Sequence, residues 1–380
     1  HQASAILGKE AFSAAADPAR FPEQLKYVKT WQAQRLMTNL PNFNAEQQKE
    51  IEKIPDKLEI DLGAYSPALG FSYNEIAGMS RSQHRSQAMG TAERRGAAPT
   101  FLVTDNGDKA RKDVFENINI GWSRVQGGTE VASLMQQAMS AFTPGHPEAV
   151  VPVLAQARPK VAALAKSTGD PLAARKLEQI DEAIALASGI WADAVTDKFQ
   201  VTPGGEVKIT LTAIARSQVP VTLVSARLSG IAGAPNPSIA NGALAANKPT
   251  QYPVTMKIPE SQSVSQPYWL RSPKDGAMYT VASVDEVGPP ENAPLMKAEF
   301  QFRVGGTEIA LTRPVEHRYV DRVYGELTRP LAVVPPVALE FGGSPVVFAD
   351  SNPRRIQVPV KSNDGKVSGD VRLNIPKGWR

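Results

Sequence analysis

The spacing of apolar residues changes near residue 200, and this change constrains the fold more than any other feature of the sequence. Before that point, apolar residues mostly recur every three or four positions, as they do in amphipathic helices. After it they alternate with polar residues, as in half-buried β-strands, and 20 of the 31 prolines follow it. The sequence therefore predicts a multidomain chain whose later part is built of strands.

Three segments between residues 126 and 197 carry the helical pattern. In GTEVASLMQQAMSAF the apolar residues fall on one stripe. In DPLAARKLEQIDEAIALASGIW, Asp170 is the predicted N-cap, Pro171 occupies the first helical position, and Ile184 and Trp191 share one face. The third helix covers EAVVPVLAQARPKVAALAKS, where an internal proline is expected to introduce a kink. Together they predict a helical connector, a small hairpin or bundle.

Alternation of apolar and polar residues marks the strands after residue 197. EVKITLTAI alternates Val207, Ile209 and Leu211 with polar residues, and AEFQFRV and IQVPV repeat the pattern. Short strands at this density, separated by turns rich in proline and glycine, predict antiparallel sandwiches of the immunoglobulin type. One is expected over residues 198–332. A second is expected over 333–380, with too few strands to close a sandwich.

The first 125 residues contain both helical and strand patterns. SAILGKEAFSAAAD predicts an amphipathic helix with Ile6, Leu7 and Phe12 facing inward, and KLEIDLGAY predicts a strand. A further helix is expected to begin near Asn74, because asparagine is a favoured N-cap and Glu75 then lies in the first turn.

The helix that begins near Asn74 carries a polar stripe. Ser80, His84 and Gln87 stand at positions i, i+4 and i+7, and Arg81 lies beside them. A solvated helix face accounts for this stripe without any function. Alternatively, the imidazole, held by its arginine and glutamine neighbours, binds an anion or donates a hydrogen bond to a developing oxyanion.

Composition and motif content exclude several function classes. Cysteine is absent, which excludes disulfides, thiol nucleophiles and cysteine-ligated metals. The 42 basic and 38 acidic residues are interspersed, so no nucleic-acid partner is expected. No apolar run is long enough to cross a bilayer, and no HExxH, GxSxG, P-loop or GxGxxG pattern occurs. His146 and His317 are expected at the surface.

Longer stretches of the sequence are distinctive. The first 125 residues contain HQASAILGKEAFSAAADPARFPEQL, DLGAYSPALGFSYNEIAGMSRSQHRSQAMG and NINIGWSRVQGG. These resemble the later part of a PIG-L (LmbE-like) deacetylase domain, in its long, multidomain bacterial form. DKFQVTPGGEVKI, SQPYWLRSPKDGAMYTV and VDRVYGELTRPLAVVPPVAL resemble the immunoglobulin-like modules that follow the catalytic domain, and LNIPKGWR resembles the start of a NEW-type module. The resemblance implies the C-terminal portion of a Rossmann-like α/β deacetylase domain over residues 1–125.

The resemblance also implies an activity: zinc-dependent removal of an acetyl group from an N-acetylated amino sugar or related amide, by a secreted or periplasmic protein. In the family, an AHPDDE segment supplies a histidine and an aspartate to zinc and an aspartate as general base, and an HxxH pattern supplies a further histidine. By position, His1 matches that last zinc ligand. His84, within HRSQ, is expected to contact the substrate or the oxyanion, with Arg81 and Gln87 as supporting substrate contacts.

The sequence departs from the family pattern at the metal site, because AHPDDE does not occur in it. Catalytic zinc usually takes three protein ligands. The 380-residue chain is therefore expected to be a fragment of a deacetylase and inactive by itself, with Ile6, Phe12 and Leu25 exposed or covered by another chain. Two alternatives stay open. One is a non-catalytic carbohydrate- or partner-binding protein built on the immunoglobulin-like modules, and the other is a copper site at a free N-terminal His1.

Overall fold

The structure, a computed structural model, describes residues 2–237, 239, 242–283, 286–340, 347–350, 352–375 and 377. It divides the chain into two compact units, His1–Arg124 and Val125–Arg380, which we call unit 1 and unit 2. Both units contain helices and strands, so the protein is of the mixed α/β class. Within the described ranges, no helix combines the length and the apolar character that a membrane span requires.

Unit 1 is built on a small antiparallel sheet. Its elements, in chain order, are α1 (Gln2–Ala14), β1 (Arg35–Asn39), α2 (Ala45–Glu52), β2 (Leu58–Asp61), β3 (Tyr65–Ser66), β4 (Phe71–Ser72), α3 (Tyr73–Arg81) and β5 (Pro99–Gly107). β5 lies between β1 and β2 and pairs antiparallel with both, while β3 pairs with β4. The 3-10 turn Pro22–Lys26 follows α1.

The core of unit 1 is thin. Among its described residues, the buried apolar side chains are Ile51, Leu58, Phe101 and Ala110. The helix α1 confirms the helical pattern in SAILGKEAFSAAAD, but its apolar face is not covered: Ile6 is 52% exposed and Leu7 is 62% exposed, while Phe12 is half-buried. The prediction that this face points inward is therefore wrong for Ile6 and Leu7.

Unit 2 begins with helices at the three predicted segments, namely α4 (Thr129–Ala141), α5 (Val151–Thr168) and α6 (Pro171–Ala187). Asp170 caps α6 as predicted, because its carboxylate accepts hydrogen bonds from the backbone N–H groups of Leu172 and Ala173, at 2.8 and 3.3 Å. The placement of Trp191 on this helix is wrong. α6 ends at Ala187, and Trp191 lies in the next strand, whose residues alternate between core and surface.

The strands of unit 2 form one large sheet and short pairs. They are β6 (Ile190–Thr196), β7 (Gln200–Val201), β8 (Glu206–Ala215), β9 (Val221–Ser229), β10 (Gly242–Ala243), β11 (Thr250–Lys257), β12 (Lys297–Val304), β13 (Thr307–Asp321), β14 (Gly325–Pro330), β15 (Ala332–Val333), β16 (Val337–Leu339) and β17 (Val360–Ser362). The large sheet has the order β10-β9-β12-β13-β6-β8-β11, with β14 also paired to β13. β13 pairs antiparallel with β12 and then, further along, parallel with β6, so it joins the two halves of a curled sheet.

The core of unit 2 lies on the inner face of this sheet. The alternation predicted for β8 is confirmed, because Val207, Ile209 and Leu211 are fully buried while Glu206 and Lys208 are exposed. In β12 the inward side chains Phe300 and Phe302 are likewise fully buried. Burial of each such leucine or phenylalanine side chain contributes about 1.5 to 3 kcal/mol.

A buried ion pair joins the helices of unit 2 to the sheet. Asp181 on α6 accepts hydrogen bonds from the Arg158 guanidinium on α5 at 2.7 and 3.0 Å. It also accepts one from the backbone N–H of Ala310 on β13, at 3.1 Å. One carboxylate therefore connects α5, α6 and β13.

The described part of the chain beyond β14 contains short strand pairs. β15 pairs with β7 in parallel, and β16 pairs with β17 antiparallel. IQVPV, predicted as a strand, is wrong in all but its last residue, because β17 begins at Val360 and Ile356 is an exposed residue outside it. Backbone pairing reaches only the end of this stretch, where the carbonyl of Pro359 accepts the backbone N–H of Glu340 at 2.9 Å and Val360 pairs with Leu339.

Candidate functional site

The residues predicted to contact a substrate lie at the C-terminal end of α3 and just beyond it. Arg81 is the last residue of α3, and a single 3-10 turn, Arg85–Gln87, follows it. The prediction that Ser80, His84 and Gln87 share one helical face is wrong, because the helix ends before His84. His84 instead occupies the position that precedes the 3-10 turn.

The start of α3 is fixed by a capping box that positions the site. The hydroxyl of Ser72 accepts the backbone N–H of Glu75 at 3.3 Å, and the Glu75 carboxylate accepts the backbone N–H of Ser72 at 2.9 Å. The Ser72 hydroxyl also donates to the Glu75 carboxylate. The bond from the Ser72 backbone, and to a smaller extent the bond from its hydroxyl, hold the pKa of Glu75 below its usual range. Asn74, the predicted N-cap, lies inside the first turn instead. The S-x-x-E spacing of Ser72 and Glu75 in the sequence could have identified the true cap.

The end of α3 is set by the segment that returns alongside it. The Ser82 hydroxyl donates to the carbonyl of Gly78 at 2.9 Å and accepts the backbone N–H of Thr91 at 3.2 Å. A Cβ atom added at Gly78 would lie 3.0 Å from the carbonyl oxygen of Ala92. A larger residue at this position would push the returning backbone away by a few tenths of an ångström, so glycine suits this close approach.

Side chains fasten the rest of the returning segment, residues 91–98. The amide of Asn74 donates to the carbonyl of Arg94 at 3.1 Å, and the Arg95 guanidinium lies 2.9 Å from the Glu75 carboxylate. The Asp61 carboxylate accepts the backbone N–H of Ala98 at 2.7 Å, and this bond, with a second from Gly63, holds the pKa of Asp61 below its usual range. These bonds hold the returning segment against α3. The exposed turn that contains His84 lies between α3 and this segment in the sequence.

The imidazole of His84 has a defined tautomer in its neutral form. Its Nδ1 atom lies 3.2 Å from the carbonyl oxygen of Arg81. Because a carbonyl only accepts, Nδ1 must carry a hydrogen, and a neutral ring then has its lone pair at Nε2. In that form Nε2 can accept a proton or a hydrogen bond. In the other neutral tautomer, or in a charged ring, Nε2 carries a hydrogen and can donate it to an oxyanion, as the predicted role requires.

The surroundings of His84 are cationic and exposed. The sequence from Ile76 to Ala92 contains no acidic residue. Among the described residues, no carboxylate pairs with Arg81 or Arg85, and the side chains of Arg81 and Gln87 face solvent. Ala88, which closes the 3-10 turn, has left-handed backbone with φ of 52°, a conformation that clusters at functional sites. This arrangement can take an anionic group or a polarised carbonyl oxygen.

The described residues do not assemble a metal centre. His1, the predicted zinc ligand, lies outside them. Within them, no group of three or more histidine, aspartate or glutamate side chains is arranged to hold a metal ion. His146 contacts Glu148 at 3.2 Å, and His317 lies 3.0 Å from the carbonyl of Thr196. These two histidines therefore have local partners of their own, and the described residues do not fit a zinc site.

Comparison with known proteins identifies no family. No family model matches the chain, and no curated protein matches it. Among solved structures, the chain is similar to the Pseudomonas fluorescens alkylpurine DNA glycosylase AlkC bound to DNA containing an abasic site analog, with 8% sequence identity and a TM-score of 0.18. The match covers 51% of this chain and 54% of that chain, so it spans about half of that protein's length. A TM-score this low establishes neither a common fold nor a common function.

Proposed function

We propose that unit 1 is the substrate-contacting, C-terminal portion of a Rossmann-like α/β deacetylase domain of the PIG-L type. Its substrate is an N-acetylated amino sugar or related amide, and the protein acts in the periplasm or outside the cell. His84 contacts the substrate or the oxyanion, and Arg81 and Gln87 support it. The observation that carries the proposal is the uncovered apolar face of unit 1.

This uncovered face forms a groove between α1 and the 3-10 turn that follows it. The groove has a volume of about 400 Å³, and its apolar lining includes Leu7, Phe21, Leu25 and Val28. Leu25 is 42% exposed. In an α/β domain the apolar faces of the helices pack on the sheet. The exposed faces of Ile6 and Leu25 therefore support a domain whose remaining layer comes from other polypeptide.

The chemistry around His84 fits one part of amide hydrolysis. Negative charge develops on the carbonyl oxygen when water attacks an amide, and preorganised donors near that oxygen lower the barrier. An imidazolium at His84 supplies such a donor from Nε2, and the guanidinium of Arg81 supplies a second positive charge. Zinc, if held by residues outside those described, would polarise the carbonyl and lower the pKa of its water. We assign the zinc ligands and the general base to residues outside those described.

Zinc content, intact mass and acetate release test this proposal on protein purified from its native source, with an N-acetylglucosamine oligosaccharide as substrate. We expect a form heavier than 40.9 kDa that carries one zinc ion per chain and releases acetate. In that form His84→Ala should lower kcat/KM by about 100-fold, the usual cost of losing an oxyanion donor. The matched control is His146→Ala, which removes an exposed histidine of unit 2. A mass of 40.9 kDa with neither zinc nor acetate release would contradict the proposal.

A second candidate function is glycan or partner binding by unit 2 without catalysis. The strand neighbours of the large sheet favour it. β12 lies between β9 and β13, and β8 lies between β6 and β11. Immunoglobulin-like sandwiches have the same neighbours, with strand F between C and G and strand B between A and E. Such sandwiches often carry binding loops at their ends, which makes the long connections of unit 2 the place to look for a ligand site.

A further inference from the structure

The connection from β11 to β12, residues 258–296, is far longer than most loops. Its described residues include the 3-10 turn Tyr268–Leu270 and a β-bridge between Asp275 and Met278. Connections of this length without regular structure are uncommon in compact domains and usually have a function. We call residues 266–279 together with 286–292 the aromatic loop.

Side-chain hydrogen bonds close the aromatic loop at its base. The side chain of Asn292 accepts the backbone N–H of Tyr268 at 2.9 Å and donates to the carbonyl of Gln266 at 2.8 Å. The hydroxyl of Tyr268 donates to the carbonyl of Pro289 at 3.1 Å. Because these bonds already hold the two ends of the loop together, the loop loses little further conformational entropy when it binds a ligand.

The aromatic loop presents rings and one planar ion pair. Trp269 packs edge-to-face on Tyr268, with ring centres 4.9 Å apart. The ring of Tyr279 is 50% exposed, and the ammonium of Lys274 lies 5.2 Å from its centre. Arg271 pairs with Glu286, and both side chains reach solvent. Flat apolar rings beside charged groups with several donors and acceptors are the usual lining of a small-ligand site.

The charge of the aromatic loop disfavours an anionic ligand. The sequence from 266 to 292 contains two basic residues and four acidic ones. Both basic side chains are already engaged, Arg271 with Glu286 and Lys274 with the ring of Tyr279. Anionic polymers need clustered basic residues, which this stretch of the sequence lacks. A neutral ligand with flat apolar faces and many hydroxyl groups matches the remaining groups.

We propose that the aromatic loop binds the pyranose rings of a neutral oligosaccharide. The rings of Trp269 and Tyr279 pack against the C–H faces of the sugars, and the Arg271–Glu286 pair hydrogen-bonds to their hydroxyl groups. This inference rests on the binding function proposed for unit 2 and needs no chemistry in unit 1.

The test is a calorimetric titration of the full 380-residue chain with two probes, the hexamer of N-acetylglucosamine and cellohexaose. We expect binding of at least one probe, a loss of affinity of tenfold or more in Trp269→Ala, and a loss of several-fold in Tyr279→Ala. Tyr324→Ala is the matched control, because it removes a 77% exposed tyrosine ring from the turn between β13 and β14, outside the aromatic loop in sequence. Its dissociation constant should equal that of the unchanged chain.

The outcomes separate the ligand site from the binding function. If the unchanged chain binds a probe and both loop variants bind it equally well, the loop is not the site, although unit 2 remains a binding module. If the unchanged chain binds neither probe, both ideas fail. If Trp269→Ala lowers the thermal unfolding midpoint and Tyr279→Ala keeps full affinity, the effect of Trp269 is structural and the proposal is overturned. Self-association that both variants abolish, without sugar binding, would make the loop a protein interface.

Discussion

Replacing Asp181 by alanine tests whether one buried carboxylate holds the helices of unit 2 to its sheet. Asp181 is 3% exposed and accepts hydrogen bonds from Arg158 and from the backbone of Ala310. Its removal leaves the Arg158 guanidinium, whose side chain is 22% exposed, without a partner in a region that water hardly reaches. It also leaves the N–H of Ala310 without an acceptor.

The expected destabilisation is large. Removing one partner of a buried ion pair costs about 3 to 5 kcal/mol. The lost hydrogen bonds suggest a similar size, because each hydrogen bond to a charged group contributes about 1.5 to 3 kcal/mol. With a urea m-value of about 3 kcal/mol/M, the unfolding midpoint should fall by about 1 to 1.7 M. Most of this cost is the unpaired charge, so the double variant Asp181→Leu with Arg158→Met should recover much of the loss.

This loss is measured by urea unfolding of the full chain. Unfolding of unit 2 is monitored through hydrogen exchange in peptides from α6 and β13. Glu182→Ala is the matched control. Glu182 is the next residue on α6 and pairs with Arg313 at 2.5 Å, but this pair is more exposed, so its loss should cost at most about 1 kcal/mol. If the Asp181 and Glu182 variants unfold at the same midpoint, the buried carboxylate does not hold the helices to the sheet and the reasoning is refuted.

Two further predictions concern α3. Hydrogen bonds from Ser72 depress the pKa of Glu75 in the folded protein. The Glu75 carboxylate therefore stabilises the fold above its unfolded pKa of about 4.3, and this stabilisation is lost as the pH falls through the lower pKa of the folded state. Hydrogen-exchange protection of α3 should therefore drop as the pH falls below the unfolded pKa, and Glu75→Gln, which keeps a capping side chain, should remove that pH dependence. An unchanged dependence would contradict the role of the carboxylate. Gly78→Ala should expose residues 91–98 to trypsin, because overpacking costs about 1 to 3 kcal/mol and exceeds the gain in helix propensity of about 1 kcal/mol. Gly8→Ala in α1, where the added methyl group meets open space, should leave cleavage of that segment unchanged, and equal cleavage in both variants would refute the packing argument.

Prediction from the sequence succeeded where burial repeats along a single element. α4 and α6 lie where apolar residues recur at helical spacing, and β8 and β12 lie where they alternate. It failed at ends and in open regions. Trp191 continues the spacing of α6 although Gly189, with φ of +67°, has already turned the chain into β6. Ile6 and Leu7 have the pattern of a buried face, but in unit 1 that face stays open.

The residues of the candidate site stay a prediction from the sequence, and the geometry predicted for them is wrong. His84, Arg81 and Gln87 lie close together in sequence, so any local conformation keeps them near one another. Their arrangement depends on the returning segment, which packs against Gly78 and provides the partner for Ser82 at the end of the helix. A polar stripe at helical spacing does not reveal such a segment.

The sequence by itself determined the kind and position of α4, α5, α6, β8 and β12 in unit 2, because each of them has apolar residues at a fixed period. Only the tertiary structure decided which elements meet. Asp181 binds the backbone of Ala310 across 129 positions, and β13 leaves β12 to pair in parallel with β6. The physical reason is that the spacing of apolar residues indicates which side chains are buried. It does not indicate which groups they contact, because that depends on the order of the strands in the sheet.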